Sequence, residues 1–475
     1  MTRSRRTIGA AAWLGLACSC VDLETFGCAD DGQCRRGQTP GVCAGPGFCA
    51  YEDESCDASG LRYSDLAGEG LANACVDPNG GATDDATAEG DAVCGNGQVE
   101  GGEDCDDGND VDGDGCNVGC IPSGSVLWSV RVAGSDGARD RVEDLAALPT
   151  GDLVVAGALA EGGEDLAYVA RIAIDDGARV WEWRGEGEGD RSVASAVGID
   201  ADNRIGVGGT SETGDGPSQG WLRAFATDGS ETWVQSLNAA SVLGVAGNVE
   251  GFIAVGGAFA GEFDATATAV GCDGQIRWSH ETDVPGDDLF TDVTSRGFDV
   301  AYAVSANNSD VVLTRVDAGG LTDVRTWAGD FGERDDAQGM TTHPSGDLLL
   351  AGFQTTTLGH DMWIARATEA GDDVWMDLPP GALSPVDEEL EDVAVDPVGD
   401  VYAVGFVTNE DKDVVVVKYT AAGELVYSRV FVDLGGPGDD IARGIAITAD
   451  GGVVVAGEAI GDDGSADLWI ARIAP

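Results

Sequence analysis

One pattern occurs seven times between Ser125 and Pro475. Each copy holds an acidic turn, an apolar run, a Gly-bounded apolar run, an Asp-led run ending in a base, a Gly turn and a run marked by an aromatic. The Gly-bounded runs are GDLVVAG at 151–157, NRIGVGG at 203–209, GFIAVGG at 251–257, FDVAYAV at 298–304, GDLLLAG at 346–352, GDVYAVG at 399–405 and GGVVVAG at 451–457. The aromatic markers are Trp128, Trp181, Trp233, Trp278, Trp327, Trp375 and Tyr427. A period of roughly 50 residues belongs to propellers and solenoids. The runs are short, rich in β-branched and aromatic residues, and bounded by Gly and Asp, so they read as strands. No long run of helical periodicity interrupts them. Four short strands per repeat make a propeller blade.

The aromatic runs are out of phase with the rest. Trp128 precedes any Gly-bounded run, and no aromatic run follows Leu468–Ile473. The last unit lacks one strand and the first has one to spare. A ring closed by residues 126–132 solves both problems and hides edges that would otherwise pair with other chains. The expected fold is therefore all-β: a seven-bladed β-propeller over 125–475, closed by its N-terminal strand and preceded by small disulfide-rich modules.

Charge narrows the function classes. The chain has 85 acidic and 26 basic residues, a net charge of −59. Such a chain repels nucleic acid and anionic membrane surfaces, and its acids stand mostly on solvated faces. The base closing the third strand recurs as Arg171, Arg223, Arg315, Arg366, Lys418 and Arg472. Repeated acids and bases at fixed offsets are expected to pair between neighbouring strands.

The N-terminus carries Arg3, Arg5 and Arg6, then the apolar run Ile8–Ala17, then Cys18 and Cys20. This reads as a signal peptide over 1–19, too short to span a membrane. Two cysteine groups follow: Cys28, Cys34, Cys43, Cys49, Cys56 and Cys75 within 20–79, and Cys94, Cys105, Cys116 and Cys120 within 93–124. A Gly-, Ala- and Asp-rich stretch at 80–92 has the composition of a flexible linker between them. Modules this small lack a sufficient apolar core, and in an oxidising compartment both groups are expected to form disulfides. No CxxC pair is present and all three histidines lie in the repeat region, which disfavours zinc.

Several segments resemble known families. The small residues before Cys18 and before Cys20 resemble a bacterial lipobox, which implies lipidation of Cys20 or Cys18. Cleavage before Cys20 leaves only Cys272 unpaired. The run CGNGQVEGGEDCDDGNDVDGDGCNVGC, Cys94 to Cys120, resembles the Myxococcus-type cysteine-rich repeat. The stretch Asp413 to Gly457 resembles the bacterial SBBP-type β-propeller repeat, with its strand ending in Lys, its G-x-L-x-Y turn and its GG-x-G-x-D run. That resemblance implies an exported repeat domain with no catalytic residues to carry over.

Three places could hold chemistry. Asp110, Asp112 and Asp114 before Gly115 begin like an oxygen-rich calcium loop. The twelfth position is Ile121 rather than a Glu, and two cysteines interrupt the loop, so a solvated acidic loop is the competing reading. A second set, Asp140, Asp288, Asp335, Glu388 and Asp440, stands at one offset before successive strands, with Asp190 nearby in blade 2 and Ala240 in blade 3. These acids either ring a channel mouth or satisfy N–H groups at blade turns. Third, Gly then Trp four later at 177/181, 229/233, 274/278 and 371/375 resembles the Trp-docking turn of quinoprotein dehydrogenases. The Asp expected four residues before each Gly is replaced by Ala173, Phe225, Val270 and Ala367.

No hydrolase or metalloprotease motif stands out. The reading is a non-enzymatic, exported module, either secreted or held at the cell surface by its lipid anchor, that binds a surface protein or a glycan. The alternatives are a structural envelope component or a propeller enzyme of quinoprotein-like or carbohydrate-active type. Calcium is the sole candidate cofactor. The site is expected where the repeats disagree, because residues shared by every repeat serve the blades.

Overall fold

A computed structural model describes five short strands between Arg35 and Tyr63, together with residues 93–475. Within the latter it leaves out 100–102, 110, 136, 138, 186–189, 215, 260, 283–286, 297–299, 308–309, 329–333, 358, 380–386, 433, 435 and 462–463. The signal segment, Cys18, Cys20, Cys28, Cys34, Cys56, Cys75, the 80–92 linker and Asp110 lie outside the described residues. The chain forms two compact units, divided between Ala88 and Glu89.

In the first unit Arg35–Arg36 pairs with Thr39–Pro40, and Val42–Ala44, Phe48–Glu52 and Leu61–Tyr63 form a three-stranded sheet. Cys43 stands opposite Cys49 in that sheet. Cys49 is disulfide-bonded and Ala50 beside it is buried.

The second unit is the propeller with the cysteine-rich repeat before it. Seven four-stranded antiparallel sheets follow one another. Their first strands are Arg141–Ala147, Asp190–Ile199, Ser241–Gly247, Asp288–Ser295, Asp336–Thr342, Glu388–Val395 and Ile441–Ile447, and successive ones pack side by side around the centre. The second strands carry the Gly-bounded runs. The last sheet takes its outer strand from the other end of the domain: Val126–Val132 pairs with Ala466–Ile473, Leu468 opposite Val132 and Arg472 opposite Trp128. The phase shift in the sequence is thus resolved as a closed ring. No helix occurs among the described residues.

The core lies between blades rather than within them. Each of the seven apolar clusters draws from two neighbours, such as Leu153 and Tyr168 of blade 1 with Ile470 and Val454 of blade 7. The outer-strand Trp adds a directional link. The indole N–H of Trp128 donates to Ile174 O of the next blade at 2.9 Å, Trp181 to Thr227 O at 3.0 Å and Trp233 to Cys272 O at 3.1 Å. The indole plane covers the glycine of that turn; a Cβ on Gly229, whose φ is +86°, would sit 2.7 Å from the Trp181 ring. Glycine is therefore required there by backbone conformation and by space together. The Gly-to-Trp spacing reflects this repeating contact: Gly177, Gly229, Gly274 and Gly423 each sit under the Trp of the blade before, whereas Gly371 meets Val324 and Arg325.

The recurring bases do pair across strands, mostly with the Asp that leads into the second strand of the same blade. Arg171 meets Asp152 at 2.7 Å, Arg366 meets Asp347 at 2.7 Å, Lys418 meets Asp400 at 3.5 Å and Arg472 meets Asp450 at 2.8 Å. Arg171 and Arg366 also donate to Thr227 O and Ala421 O of the following blade.

The cysteine-rich repeat is closed by Cys94–Cys120 and Cys105–Cys116. It seats on the propeller through the buried Lys418, whose ammonium donates to Gly113 O at 2.6 Å, and through Arg429, which donates to Ser123 O at 2.8 Å. Any side chain at Gly113 would strike Lys418.

Deleting Val126–Val132 removes the partner of Ala466–Ile473 and bares the edge beside Trp469 and Ile470, which are almost fully buried. The deletion variant is expected to aggregate in size-exclusion chromatography and to lose its cooperative thermal transition. A variant that elutes like the wild type and melts cooperatively near the wild-type temperature would show that closure is dispensable.

Candidate functional site

Every first strand carries a β-bulge at one level. The extra residues are Glu143, Ser195, Leu243, Thr291, Gln338, Glu391 and Arg443, where the register with the second strand shifts. A bulge re-aims its side chain. Here all seven bulged residues line one cavity of about 240 Å³ at the centre of the ring. The repeats disagree most at this position: it holds acids, a base, hydroxyls, an amide and one leucine.

The residue after each bulge forms the floor. Around the ring these are Asp144, Ala196, Gly244, Asp292, Gly339, Asp392 and Gly444. Each of the three acids bridges two blades. Asp144 Oδ1 accepts the N–H of Leu145 at 2.6 Å and Oδ2 that of Val197 at 2.7 Å. Asp292 accepts from Val293 and from Met340, both at 2.7 Å. Asp392 accepts from Val393 at 2.7 Å and from Ile445 at 2.8 Å. The intervening positions must be small. A Cβ on Gly339 would stand 2.6 Å from Asp392 Cα, and one on Gly244 would stand 2.9 Å from Asp292 Cα. The three acids also line a second cavity of about 430 Å³ on the other side, walled mainly by the later residues of the first strands. They therefore partition the channel.

These carboxyl groups are perturbed. Burial is the chief cause of lifting Asp144 to about 8, and the Asp292 charge adds to it against the opposing N–H bond from Val197. Burial likewise lifts Asp292 to about 7, and burial with the charges of Asp144 and Asp292 holds Asp392 well above the ordinary carboxylate range. In the upper cavity burial raises Glu391 to about 7, opposed by Arg443 and reinforced by Glu389 and Glu143. Arg443 is engaged elsewhere, 3.1 Å from Glu458 and 3.7 Å from Glu143. Arg139 and Arg141 complete that network by pairing with Glu458 and Glu143. Burial alone would raise Glu458, but its two guanidinium partners hold it below the usual range.

The acids singled out at the sequence level stand elsewhere. Asp140, Asp335 and Asp440 are buried at blade crossovers. Asp140 accepts from Gly134 and Ala160, Asp335 from Thr355 at 2.7 Å, and Asp440 from Leu434 at 2.9 Å and Ile460 at 2.7 Å. Each ties a crossover to the second strand of its blade, as the turn reading requires. Asp288 and Glu388 are buried at the starts of their strands, and burial lifts Asp288 to about 6. Asp190 opens the blade 2 strand, but counting four residues back from Ala196 gives Ser192, whose hydroxyl accepts from Ala167 N at 3.0 Å.

In the cysteine-rich repeat Asp112 accepts from Val118 N at 2.7 Å and Asp114 from Asn109 Nδ2 at 3.1 Å, so the two serve separate local bonds. Among the described residues no three His, Cys, Asp or Glu side chains come together as a metal site. The three floor acids were missed, although a signal existed: Asp144, Asp292 and Asp392 each lie four residues after Asp140, Asp288 and Glu388.

The fold defines the class as a seven-bladed β-propeller. The sequence matches no family model and no curated protein. Among similar solved structures is a protein of unknown function from Dyadobacter fermentans (12% identity, TM-score 0.46, covering 74% of this chain and 100% of that one). Another is Sqt1 of Chaetomium thermophilum bound to the N-terminus of ribosomal protein L10 (12%, TM-score 0.45, 73% and 99%). A third is a protein of unknown function from Bacteroides caccae (13%, TM-score 0.39, 62% and 94%).

Two outcomes follow from the floor. Gly339→Ala forces Asp392 away from its bonds and is expected to cost about 1–3 kcal/mol, read as a lower urea midpoint at unchanged slope; an unchanged midpoint would show that the ring is slack. The second concerns pH. Asp144 and Asp292 titrate near 8 and 7 in the folded protein against 3.8 unfolded, so above pH 4 the unfolded chain releases protons that the native ring retains. Their stabilising contribution is complete below pH 4 and is lost as pH rises through 7 and 8. The thermal midpoint is expected to fall steadily between pH 5.5 and 8.5, and a midpoint that rises over that range contradicts the assignment.

Proposed function

We propose that this protein is an exported binding module without catalytic activity, displayed at the cell surface, with the upper channel mouth as its recognition site. The observation that carries this reading is the bulge position. Seven topologically equivalent residues, Glu143, Ser195, Leu243, Thr291, Gln338, Glu391 and Arg443, converge on one cavity with chemically different side chains. Residues that hold blades together repeat from blade to blade, whereas residues that read a ligand need not. A rigid scaffold presenting a concave polar site is the usual form of a recognition surface.

The rest of the reading comes from the residues before the propeller. The apolar leader and the lipobox-like residues before Cys20 fit export and lipid anchoring, with Cys18 the alternative acceptor. The cysteine modules, one of them resembling the Myxococcus-type repeat, would serve as an oxidised stalk for a propeller that resembles the SBBP type. The partner is a surface protein or a glycan, and the acidic loop at Asp110, Asp112 and Asp114 is the place where the stalk would take calcium.

The test is a plug. Ser195 lines the mouth from blade 2, and Ser195→Trp fills the cavity. The wild-type mature chain is expected to retain a partner from envelope extract or on a glycan array, and the Ser195→Trp protein to lose it at least tenfold while melting at the same temperature. Equal retention by both proteins removes the mouth as the site; retention by neither favours a purely structural component.

A further inference from the structure

The upper cavity is rich in acids. Five carboxyl groups line it, Glu143, Asp144, Asp292, Glu391 and Asp392, with one guanidinium, that of Arg443. Four of the five are already satisfied. The three floor aspartates spend both oxygens on backbone N–H groups. Glu143 is held by Arg141 and Arg443. Glu391 remains: among the described residues its carboxylate has no hydrogen-bond or ion-pair partner, and it stands half-buried in the cavity wall. Two cations, Arg443 and Lys412, act on it without forming an ion pair, and Arg443 is bound to Glu458.

The other lining groups state what a direct partner would look like. Gln338 donates its amide N–H to Asp336, which leaves the amide oxygen to accept. Thr291 donates its hydroxyl proton to backbone carbonyls, so its oxygen also presents lone pairs to the cavity. Ser195 adds a hydroxyl and Leu243 an apolar wall. The site is thus a set of acceptors with one unmatched carboxylate and one greasy side. A hard divalent cation needs six or more oxygens in a shell, and the floor oxygens are already aimed at N–H groups. A group with several N–H donors on a short methylene stem matches what is present. The volume, about 240 Å³, admits one long side chain or a small amine rather than a chain of sugars.

We propose that the channel mouth captures an organic cation, an ammonium or guanidinium group, by pairing it with Glu391 while Ser195, Thr291 and Gln338 accept its remaining N–H bonds and Leu243 packs its stem. This inference rests on the mouth being a binding site. The net charge of −59 draws such a group toward the protein, and the unmatched acid selects where it stops.

The experiment is calorimetric titration of the full mature chain with three probes: a short Lys- and Arg-containing peptide, the same peptide with its amines acetylated and its arginines replaced by citrulline, and spermidine. Binding of the basic peptide or of spermidine is expected, with affinity lowered about tenfold by Glu391→Gln and unchanged by Glu410→Gln, an exposed acid at a hairpin tip. Preference for the peptide marks a basic side chain of a partner protein as the source; equal binding of spermidine marks a free amine. The proposal is overturned if the neutralised peptide binds as well, if Glu410→Gln weakens binding as much as Glu391→Gln, or if no cationic probe binds. If no cationic probe binds and Ser195→Trp still releases the envelope partner, the ligand class is wrong and the site stands; if Ser195→Trp releases nothing, both fall.

Discussion

The pairing of Val126–Val132 with Ala466–Ile473 is the contact on which everything else rests. Strands joined from opposite ends of the domain turn seven sheets into a ring, and only in a ring does each sheet have two neighbours. The apolar clusters lie between blades, so an open array would leave one face of the first sheet and one of the last exposed to water. The cost of bringing distant segments together is met once, and it is repaid at all seven interfaces.

Closure also creates the channel, and the channel sets conditions that no single blade imposes. Seven first strands meet where there is little room. Asp144, Asp292 and Asp392 bridge to the next strand through backbone N–H groups, and Gly244, Gly339, Gly444 and Ala196 make way for them. Burial is the main reason all three hold protons at unusually high pH, and for Asp144 and Asp392 the neighbouring carboxyl groups add to it. The floor is structural and the mouth above it is variable. That division separates residues that maintain the ring from residues free to read a ligand.

Much of the architecture was legible in the sequence. Strand runs, their period and the displaced Trp128 were enough for blade number and closure, because these features repeat and repetition averages out local ambiguity. The recurring bases were recognised as structural, though their partners proved to be Asp152, Asp347, Asp400 and Asp450 rather than the acids opening the same strands. The crossover acids Asp140, Asp335 and Asp440 were visible for the same reason, and they turned out to serve turns. The mouth was not legible as a list of residues. Glu143, Ser195, Leu243, Thr291, Gln338, Glu391 and Arg443 share a position but no chemistry, so a search for similar residues at similar offsets passes over them.

What the sequence determined alone is the set of strands and their closure, since side-chain alternation, turn glycines and the phase of the aromatic strand are local properties that each repeat restates. What only the tertiary structure decided is where side chains separated by a whole repeat converge. A β-bulge is a slip between two hydrogen-bonded strands and has no signature in either strand by itself. The slip turns Glu391 into the channel, and the ring brings it among the acids around Arg443. Its lack of a direct partner follows from that placement, and not from the residue being a glutamate.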